Sequence, residues 1–202
     1  MQKTIITIQH TQSEHHTNGM IGAWGDWNLT EFGRKQATDI GYGLVKEIKS
    51  EEYVMYASDL KRAYQTAEQV AEVLNMTPIV DERLREVNAG EGNGKPVAWY
   101  RANEAPRSVD YDPDYKPFPD AESDRDLWNR LYPVYQEILS NSQDKIILVS
   151  HGTSLSFLQS MLWGDCFEDI RRRRYNGSGG SVSKFVIQDS GKVIVEYLNR
   201  RF

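Results

Sequence analysis

Residues 5–16 read IITIQHTQSEHH, and this stretch decides the fold that the sequence predicts. Its apolar part, residues 5–8, is typical of a short buried strand, and the strand ends beside His10. A second apolar run, residues 146–149, also ends near a histidine, His151. In an open α/β sheet the ligand crevice lies at the carboxyl ends of the strands. The two imidazoles are therefore predicted to meet in one site.

The composition bounds the class of protein. The chain has 202 residues, 39% hydrophobic and 26% charged, which suits one globular domain with a full core. Its net charge of -5 gives no general attraction to nucleic acid or to anionic membranes, so we expect neither as a partner. The single cysteine, Cys166, excludes an intrachain disulfide and fits a reducing compartment. Without an apolar run of membrane-spanning length or a signal-peptide core, a cytoplasmic location is expected.

Hydrophobic periodicity divides the chain into alternating strands and helices. One helix is predicted from Thr30 to about Ser50, and a second follows Ser58 and Asp59, which can cap it. A third is predicted over residues 124–139 with a kink at Pro133, and a fourth after His151. Strands are predicted at residues 53–57, 77–80, 181–187 and 193–197, the last two forming a hairpin. This order predicts an α/β fold, a three-layer α/β/α sandwich with a largely parallel central sheet.

The segment at about residues 91–121 has no sustained periodicity and is rich in Tyr and Asp. We interpret it as an insertion or lid over the site, within a single domain that covers residues 1–202. Its rings could cover an apolar leaving group, or they could pack the insertion onto the domain. The rings in question are Trp99, Tyr100, Tyr111 and Tyr115.

Two residues carry the strongest chemical signal. A neutral, oriented imidazole such as His10 is a nucleophile toward phosphorus, although a histidine that only hydrogen-bonds at a strand end is an equal interpretation. Arg62 falls in the first turn of a predicted helix, where backbone N–H groups and the helix dipole favour an anion. Its guanidinium would add a planar fork for phosphate oxygens, whereas the alternative is a surface arginine.

Two further residues complete the candidate site. Glu86 could serve as a general acid, or it could form a salt bridge with Arg83 or Arg85. His151 could stabilise a phosphate dianion through hydrogen bonds from its charged form.

Together these residues lie in motifs that resemble those of the histidine phosphatase superfamily, which has the phosphoglycerate mutase-like fold. The matching motifs occur in order as QHT at 9–11, DWNLTEFG at 26–33, SDLKRAYQTA at 58–67, LRE at 84–86 and VSHG at 149–152. The resemblance covers nearly the whole chain.

The resemblance implies a role for each matching residue. His10 would be the phosphorylated nucleophile, Arg62 and His151 would hold the phosphate, Glu86 would protonate the leaving oxygen, and Ser13 would lie near the phosphate. Because the family uses no metal, neither a metal nor another cofactor is expected. The implied activity is hydrolysis of phosphate monoesters of small molecules through a phosphohistidine. A mutase-type phosphotransferase is an alternative, and the oligomeric state is left open.

The sequence departs from the family pattern at Gln9, where the family has arginine. Glutamine brings a neutral hydrogen bond worth about 0.5–1.5 kcal/mol instead of a charged one worth roughly 1.5–3. The deficit is on the order of ten- to a hundredfold in rate. A catalytically weak relative that binds a phosphorylated ligand or partner is therefore a second alternative. The basic run at residues 171–174 could recognise an acidic substrate tail or be a solvated surface.

The neighbouring histidines allow two hypotheses. His16, where the family often has asparagine, or His15 could add positive charge to the phosphate pocket when protonated, or both could be exposed loop residues. Alternatively His10, His15 and His16 could bind a metal together with Glu14 or Asp26. Their spacing, however, matches neither a helical ligand pair nor a zinc signature.

Overall fold

The computed structural model describes residues 2–172 and 174–202. Within them one six-stranded sheet is formed by β1 (Lys3–Gln9), β2 (Val54–Ala57), β3 (Ile79–Val80), β4 (Lys145–Ser150), β5 (Val182–Ile187) and β6 (Val193–Arg200). The strand order is β3-β2-β4-β1-β5-β6. β3, β2, β4 and β1 are parallel to one another, and β5 pairs antiparallel with both β1 and β6. The predicted largely parallel sheet with an antiparallel hairpin is confirmed.

In the same described residues, six α-helices accompany the sheet: α1 (His15–Asn18), α2 (Glu31–Val45), α3 (Lys61–Leu74), α4 (Val97–Asn103), α5 (Asp124–Ser140) and α6 (Gly152–Trp163). Strand β1 shows how the layers form. Ile6 and Ile8 pack with the apolar faces of α2 and α3, whereas Ile5 packs with α5 and α6 on the other side. Successive side chains of a strand point to opposite faces, so a continuous apolar strand requires a cover on both. The three-layer α/β/α prediction is confirmed.

Helix α2 departs from its predicted end. Thr30 caps it as predicted, accepting a hydrogen bond from the backbone of Gly33. The helix ends at Val45 instead of near Ser50. The backbone N–H groups of the next two residues donate to carbonyls three positions earlier, and not four as in an α-helix. The helix tolerates Gly41, since a Cβ there would lie 2.7 Å from the Cβ of Val73 on α3. This glycine lets α2 and α3 approach closely.

Helix α3 also starts differently from the prediction. Neither Ser58 nor Asp59 caps it; the N-cap is Leu60, and the first helical N–H, of Lys61, donates to Oδ1 of Asp26 over 3.2 Å. A distant loop therefore supplies the acceptor that the local sequence was expected to provide. Helix α5 continues through Pro133, with its apolar stripe buried.

Residues 91–121 contain one short helix, α4, and otherwise irregular chain. Phe118 is buried and anchors the segment, with Trp99 stacked against it at 5.7 Å and Tyr100 edge-on at 5.2 Å. These rings thus pack the insertion onto itself. No helix in the described part of the chain is long and apolar enough to cross a membrane.

The sheet register places the two strand-end histidines side by side. Gln9 at the end of β1 pairs with Ser150 at the end of β4. The next residue, His10, donates its backbone N–H to the Ser150 carbonyl over 2.8 Å. His10 and His151 therefore leave neighbouring parallel strands at the same edge, as the sequence predicted.

Candidate active site

His10 lies buried at the centre of the site with a defined ring orientation. It is 4% exposed, and its ring centroid is 5.1 Å from that of the fully buried His151. Its Nδ1 lies 2.8 Å from the Thr11 carbonyl oxygen. Because a carbonyl can only accept, Nδ1 carries the proton and Nε2 carries the lone pair. Nε2 in turn accepts a hydrogen bond from Nε of Arg62 at 3.2 Å.

Arg62 is the buried cation of the site. It is 1% exposed, so the surface-arginine alternative is wrong. Its Nη1 donates to the Gly25 carbonyl over 2.8 Å and its Nη2 to the Ala23 carbonyl over 2.6 Å. Burial lowers the pKa of Arg62 to about 10, against the opposing effect of Glu86 and Asp26, so the group stays charged at neutral pH. A guanidinium has five N–H groups, and three are used in these contacts.

The loop that holds Arg62 has a constrained backbone. Ala23 has a φ of 32°, in the left-handed region that a non-glycine residue rarely adopts. Gly25 has no room for a side chain, because a Cβ would lie 2.8 Å from the Gly22 carbonyl oxygen. Asp26 ties the loop to α3, accepting from the Lys61 backbone and pairing with its Nζ at 3.0 Å. The loop is strained where its carbonyls meet the guanidinium, a common property of functional sites.

Glu86 lies against the first turn of α6. Its Oε2 accepts from the N–H of Thr153 at 3.0 Å, and its Oε1 accepts from those of Ser154 at 3.1 Å and Val87 at 2.9 Å. A carboxylate is favoured there because the first N–H groups of a helix have no partner within it. The same helix begins immediately after His151, so the two candidate residues share one structural anchor.

Among the described residues, Glu86 makes neither of the salt bridges considered from the sequence. Arg83 pairs with Asp81 at 2.8 Å, and Arg85 pairs with Asp59. The carboxylate of Glu86 is instead bound by backbone N–H groups of Val87, Thr153 and Ser154.

Sequence reasoning missed two residues that hold Glu86 in place. Arg130 on α5 donates to the backbone carbonyls of Arg83 at 2.7 Å, Arg85 at 3.0 Å and Glu86 at 3.0 Å. Trp24 donates from its indole nitrogen to the same Glu86 carbonyl at 2.6 Å. No local motif marks either side chain, because both act on backbone atoms across long sequence distances.

Ser13, His15 and His16 form a polar wall beside His10. Ser13 is fully buried, and its hydroxyl lies 2.7 Å from Nδ1 of His15. Its backbone N–H donates to Nδ1 of His16 at 3.0 Å. The His15 and His16 rings lie 3.9 Å apart, and their centroids are 5.8 and 5.4 Å from that of His10. An accepting Nδ1 leaves His16 with a neutral Nε2–H donor.

The imidazoles of the site favour the neutral form. Burial, then the Arg62 charge, holds the pKa of His10 and His151 well below the usual value. Burial, followed by His16 and Arg62, lowers the pKa of the half-buried His15 to about 3. His16 is exposed, as one interpretation of the sequence expected, and partial burial still lowers its pKa. A positive charge on His15 or His16 at neutral pH would therefore require an anion close by.

His10, His15 and His16 could also be considered as metal ligands, since one nitrogen from each lies within 4.8 Å of the others. The two carboxylates considered with them are engaged elsewhere. Glu14 accepts from the backbone of Asn28 at 3.2 Å, and Asp26 pairs with Lys61.

The hydrogen-bond donors around these rings suit an anion better than a cation. Arg62 directs a charged N–H at Nε2 of His10, and Ser13 directs its backbone N–H at Nδ1 of His16. A metal ion on Nε2 of His10 would have to displace the Arg62 donor. Nδ1 of His16 accepts a hydrogen bond, whereas the second ring nitrogen of a metal-bound histidine normally donates one.

Gln9 lies beside the start of α6. A Cβ on Gly152 would lie 3.2 Å from its Nε2, and one on Gly177 would lie 2.7 Å from its Oε1. These two glycines provide the space that the Gln9 side chain fills.

A cavity of about 430 Å³ is lined by residues that follow Glu86 in the chain, although Glu86 itself does not line it. Val87 and Thr153, whose N–H groups bind the Glu86 carboxylate, line one side. The insertion lines the other side with Tyr100, Tyr111 and Tyr115 among its residues. Whether these rings cover a leaving group stays a prediction.

The described arginines of the basic run, Arg171, Arg172 and Arg174, are all exposed. Arg174 also lines the cavity and pairs with Asp124. Arg173 lies outside the described residues.

The chain is similar to known proteins in sequence and in fold. The family model of the histidine phosphatase superfamily (branch 1) matches residues 5–200. The chain belongs to the histidine phosphatase superfamily. Its relatives include a "putative phosphoserine phosphatase 2" of Hydrogenobacter thermophilus, 27% identical over 98% of this chain and 96% of that protein. Another is the 2,3-bisphosphoglycerate-dependent phosphoglycerate mutase of Bartonella bacilliformis, 31% identical over 84% of this chain and 86% of the mutase.

Solved structures show the same histidine phosphatase fold. A mycobacterial glucosyl-3-phosphoglycerate phosphatase has a TM-score of 0.81 at 22% identity, covering 98% of this chain and 99% of its own. The α-ribazole phosphatase of Shigella flexneri has a TM-score of 0.82 at 21% identity, covering 98% and 96%. At these identities the likeness concerns the fold.

Proposed function

We propose that this chain hydrolyses phosphate monoesters of small molecules through a phosphohistidine formed on His10. The observation that carries the proposal is the orientation of the His10 ring. The Thr11 carbonyl holds the proton on Nδ1, and the lone pair on Nε2 faces the Arg62 guanidinium, which suits a nucleophile aimed at a bound anion.

In the first step Nε2 of His10 attacks phosphorus and the bond to the ester oxygen breaks. The electron pair of that bond goes to the leaving oxygen, which receives a proton from Glu86. Arg62 would contribute the N–H groups that are not bound to its loop. Gln9 at the end of β1 and His151 just after β4 would add further donors from the neighbouring strand ends. Charge on the phosphoryl oxygens is thus stabilised by donors that the fold has already positioned.

In the second step a water molecule attacks phosphorus, and the bond to Nε2 of His10 breaks. The carboxylate of Glu86 takes the proton of the water, which restores the acid for the next turnover. Inorganic phosphate and the free alcohol are the products. Neither step uses a metal.

The cavity beside Glu86 is the proposed position of the leaving group. To donate its proton, Glu86 must exchange one of its contacts with the α6 backbone for the leaving oxygen. Val87 and Thr153 line the cavity and bind Glu86, so a group in the cavity lies next to the acid. The phosphatases named among the relatives support a small-molecule substrate, and the single cysteine suits a cytoplasmic location.

A panel of monoesters tests the proposal. We would assay 4-nitrophenyl phosphate, phosphoserine, 3-phosphoglycerate and sugar phosphates with the native chain and with His10→Ala. Tyr42→Ala, exposed on α2, is the control. We expect the native chain and the control to release phosphate and His10→Ala to lose turnover. Turnover that survives in His10→Ala would overturn the proposal.

The mutases among the relatives favour one further candidate, a phosphoryl transfer between sugar-acid hydroxyls. Incubation of 3-phosphoglycerate with catalytic 2,3-bisphosphoglycerate separates the two activities. Appearance of 2-phosphoglycerate faster than inorganic phosphate would assign the chain to the mutases. A substrate that binds to the chain without either product would identify a binding protein.

A further inference from the structure

In the described part of the chain, the permanent cation that hydrogen-bonds to His10 is Arg62. Gln9, the residue before His10, carries no charge. A phosphate monoester is a dianion at neutral pH, so a single guanidinium leaves part of its charge uncompensated. The site must either bind phosphate weakly or obtain a second positive charge.

His15 and His16 are placed to provide that charge. Their rings lie 3.9 Å apart, and both lie within 6 Å of the His10 ring. Two positive imidazoles at this separation repel each other, so the pair can take up one proton but not two.

The contacts of Ser13 allow the pair to hold this one proton. The Ser13 hydroxyl, 2.7 Å from Nδ1 of His15, can turn to accept from a protonated ring. The Ser13 backbone N–H meanwhile keeps His16 as a neutral donor. The pair then presents one cation and one neutral N–H group.

The surrounding charges favour a pair that is neutral until an anion binds. His10 faces it from the end of β1, Arg62 from α3 and His151 from the start of α6. The nearby carboxylates are each bound to other groups: Glu14 to the Asn28 backbone, Asp26 to Lys61, and Glu86 to the first turn of α6. None of the three contacts an imidazole of the pair in the described structure.

We propose that His15 and His16 form a phosphate-binding pair that takes up one proton when the phosphate dianion binds, in place of the fixed charge that Gln9 lacks. The inference rests on the phosphate site of the proposed function, although it does not require turnover. Phosphate affinity then rises as the pH falls, because proton uptake and anion binding are linked.

Titration calorimetry with inorganic sulfate tests the pair directly, since sulfate remains a dianion between pH 6 and 8. We would measure the binding enthalpy in several buffers of different ionisation enthalpy. For the native chain we expect uptake of close to one proton per sulfate, and an affinity that weakens by about tenfold per pH unit.

Three variants locate the proton. A His15→Gln and His16→Gln double variant is expected to bind sulfate more weakly and without proton uptake. Gln9→Arg is expected to reduce the uptake, because it supplies fixed charge. Gln143→Arg, exposed before β4, should leave the uptake unchanged. Thermal unfolding checks that the double variant is folded, and the two single variants show the contribution of each histidine.

The possible outcomes separate this inference from the proposed function. Undiminished uptake in the double variant would place the proton on another group, such as His151, and would overturn the inference. Sulfate binding without uptake in the native chain would also overturn it, even if monoesters are hydrolysed. Uptake by the pair without monoester turnover would support it and would contradict the proposed hydrolysis.

Discussion

Nε of Arg62 donates a hydrogen bond to Nε2 of His10 over 3.2 Å. The two residues come from different parts of the fold, one from the end of β1 and the other from the first turn of α3. The contact places the cation of the site against the lone pair that would attack phosphorus. A phosphoryl group entering here would meet the nucleophile and the guanidinium together.

Arg62→Lys tests whether the guanidinium shape matters in addition to its charge. Lysine keeps the charge but cannot reach His10, Ala23 and Gly25 together from one planar group. Each charged hydrogen bond is worth roughly 1.5–3 kcal/mol, so we expect kcat/KM to fall on the order of a hundredfold or more. Arg34→Lys, exposed on α2, is the matched control. Equal activity of the two variants would show that only charge is needed.

Gln9→Arg tests the charge deficit. An arginine here would give the phosphate a second fixed cation, and we expect kcat/KM to rise on the order of tenfold or more for the best monoester. Gln143→Arg adds the same charge at an exposed position and should have no effect. If Gln9→Arg is folded yet no faster on any substrate, the absence of an arginine at position 9 does not limit the rate.

Glu86→Gln tests the general acid. The amide keeps the shape of the side chain but cannot give a proton to the leaving oxygen. We expect kcat to fall by about 10²–10⁴ for an alkyl phosphate and far less for 4-nitrophenyl phosphate, whose leaving group needs no proton. Glu82→Gln, an exposed neighbour, is the control. An equal loss on both substrates would assign Glu86 to positioning instead of proton transfer.

The buried imidazoles also predict how stability depends on pH. The pKa of His10 and His151 lies well below the usual value of 6.5 in the folded chain. Below about pH 6.5 the unfolded chain therefore binds more protons, and the free energy of unfolding falls as the pH falls. Each histidine contributes a slope of up to about 1.4 kcal/mol per pH unit.

Urea unfolding between pH 5 and 8 measures this slope, in a range above the pKa of ordinary carboxylates. His151→Gln should reduce the slope of the free energy of unfolding between pH 5 and 6.5 by up to about 1.4 kcal/mol per pH unit, which corresponds to one proton. A native slope near zero in that range would mean that the two rings are protonated in the fold.

The sequence predicts the parts of the site that depend on local pattern. The apolar runs before His10 and His151 specify neighbouring strands, and the sheet register brings their ends together. Arg62 was predicted in a first helical turn, where the structure has it. Its burial could not be predicted, because it depends on the carbonyls of Ala23 and Gly25, which no periodicity marks.

Residues that act through long-range backbone contacts were missed. Arg130 looks like an ordinary helical arginine in sequence, yet it binds three carbonyls of the segment that ends in Glu86. The cap of α3 was assigned to Ser58 and Asp59, but Asp26 supplies the acceptor from a distant loop. Such contacts are set by the tertiary fold, and local rules do not specify them.

The central claim, that His10 attacks phosphorus, is tested most directly by trapping the phosphorylated enzyme. The native chain would be mixed with a rapidly cleaved monoester, quenched in alkali within milliseconds to seconds, digested and examined by mass spectrometry. We expect one added phosphoryl group on the peptide that contains His10, stable in alkali and labile in acid, and absent from His10→Ala. Multiple turnovers without a phosphorylated peptide, or a phosphoryl group on another residue, would contradict the mechanism.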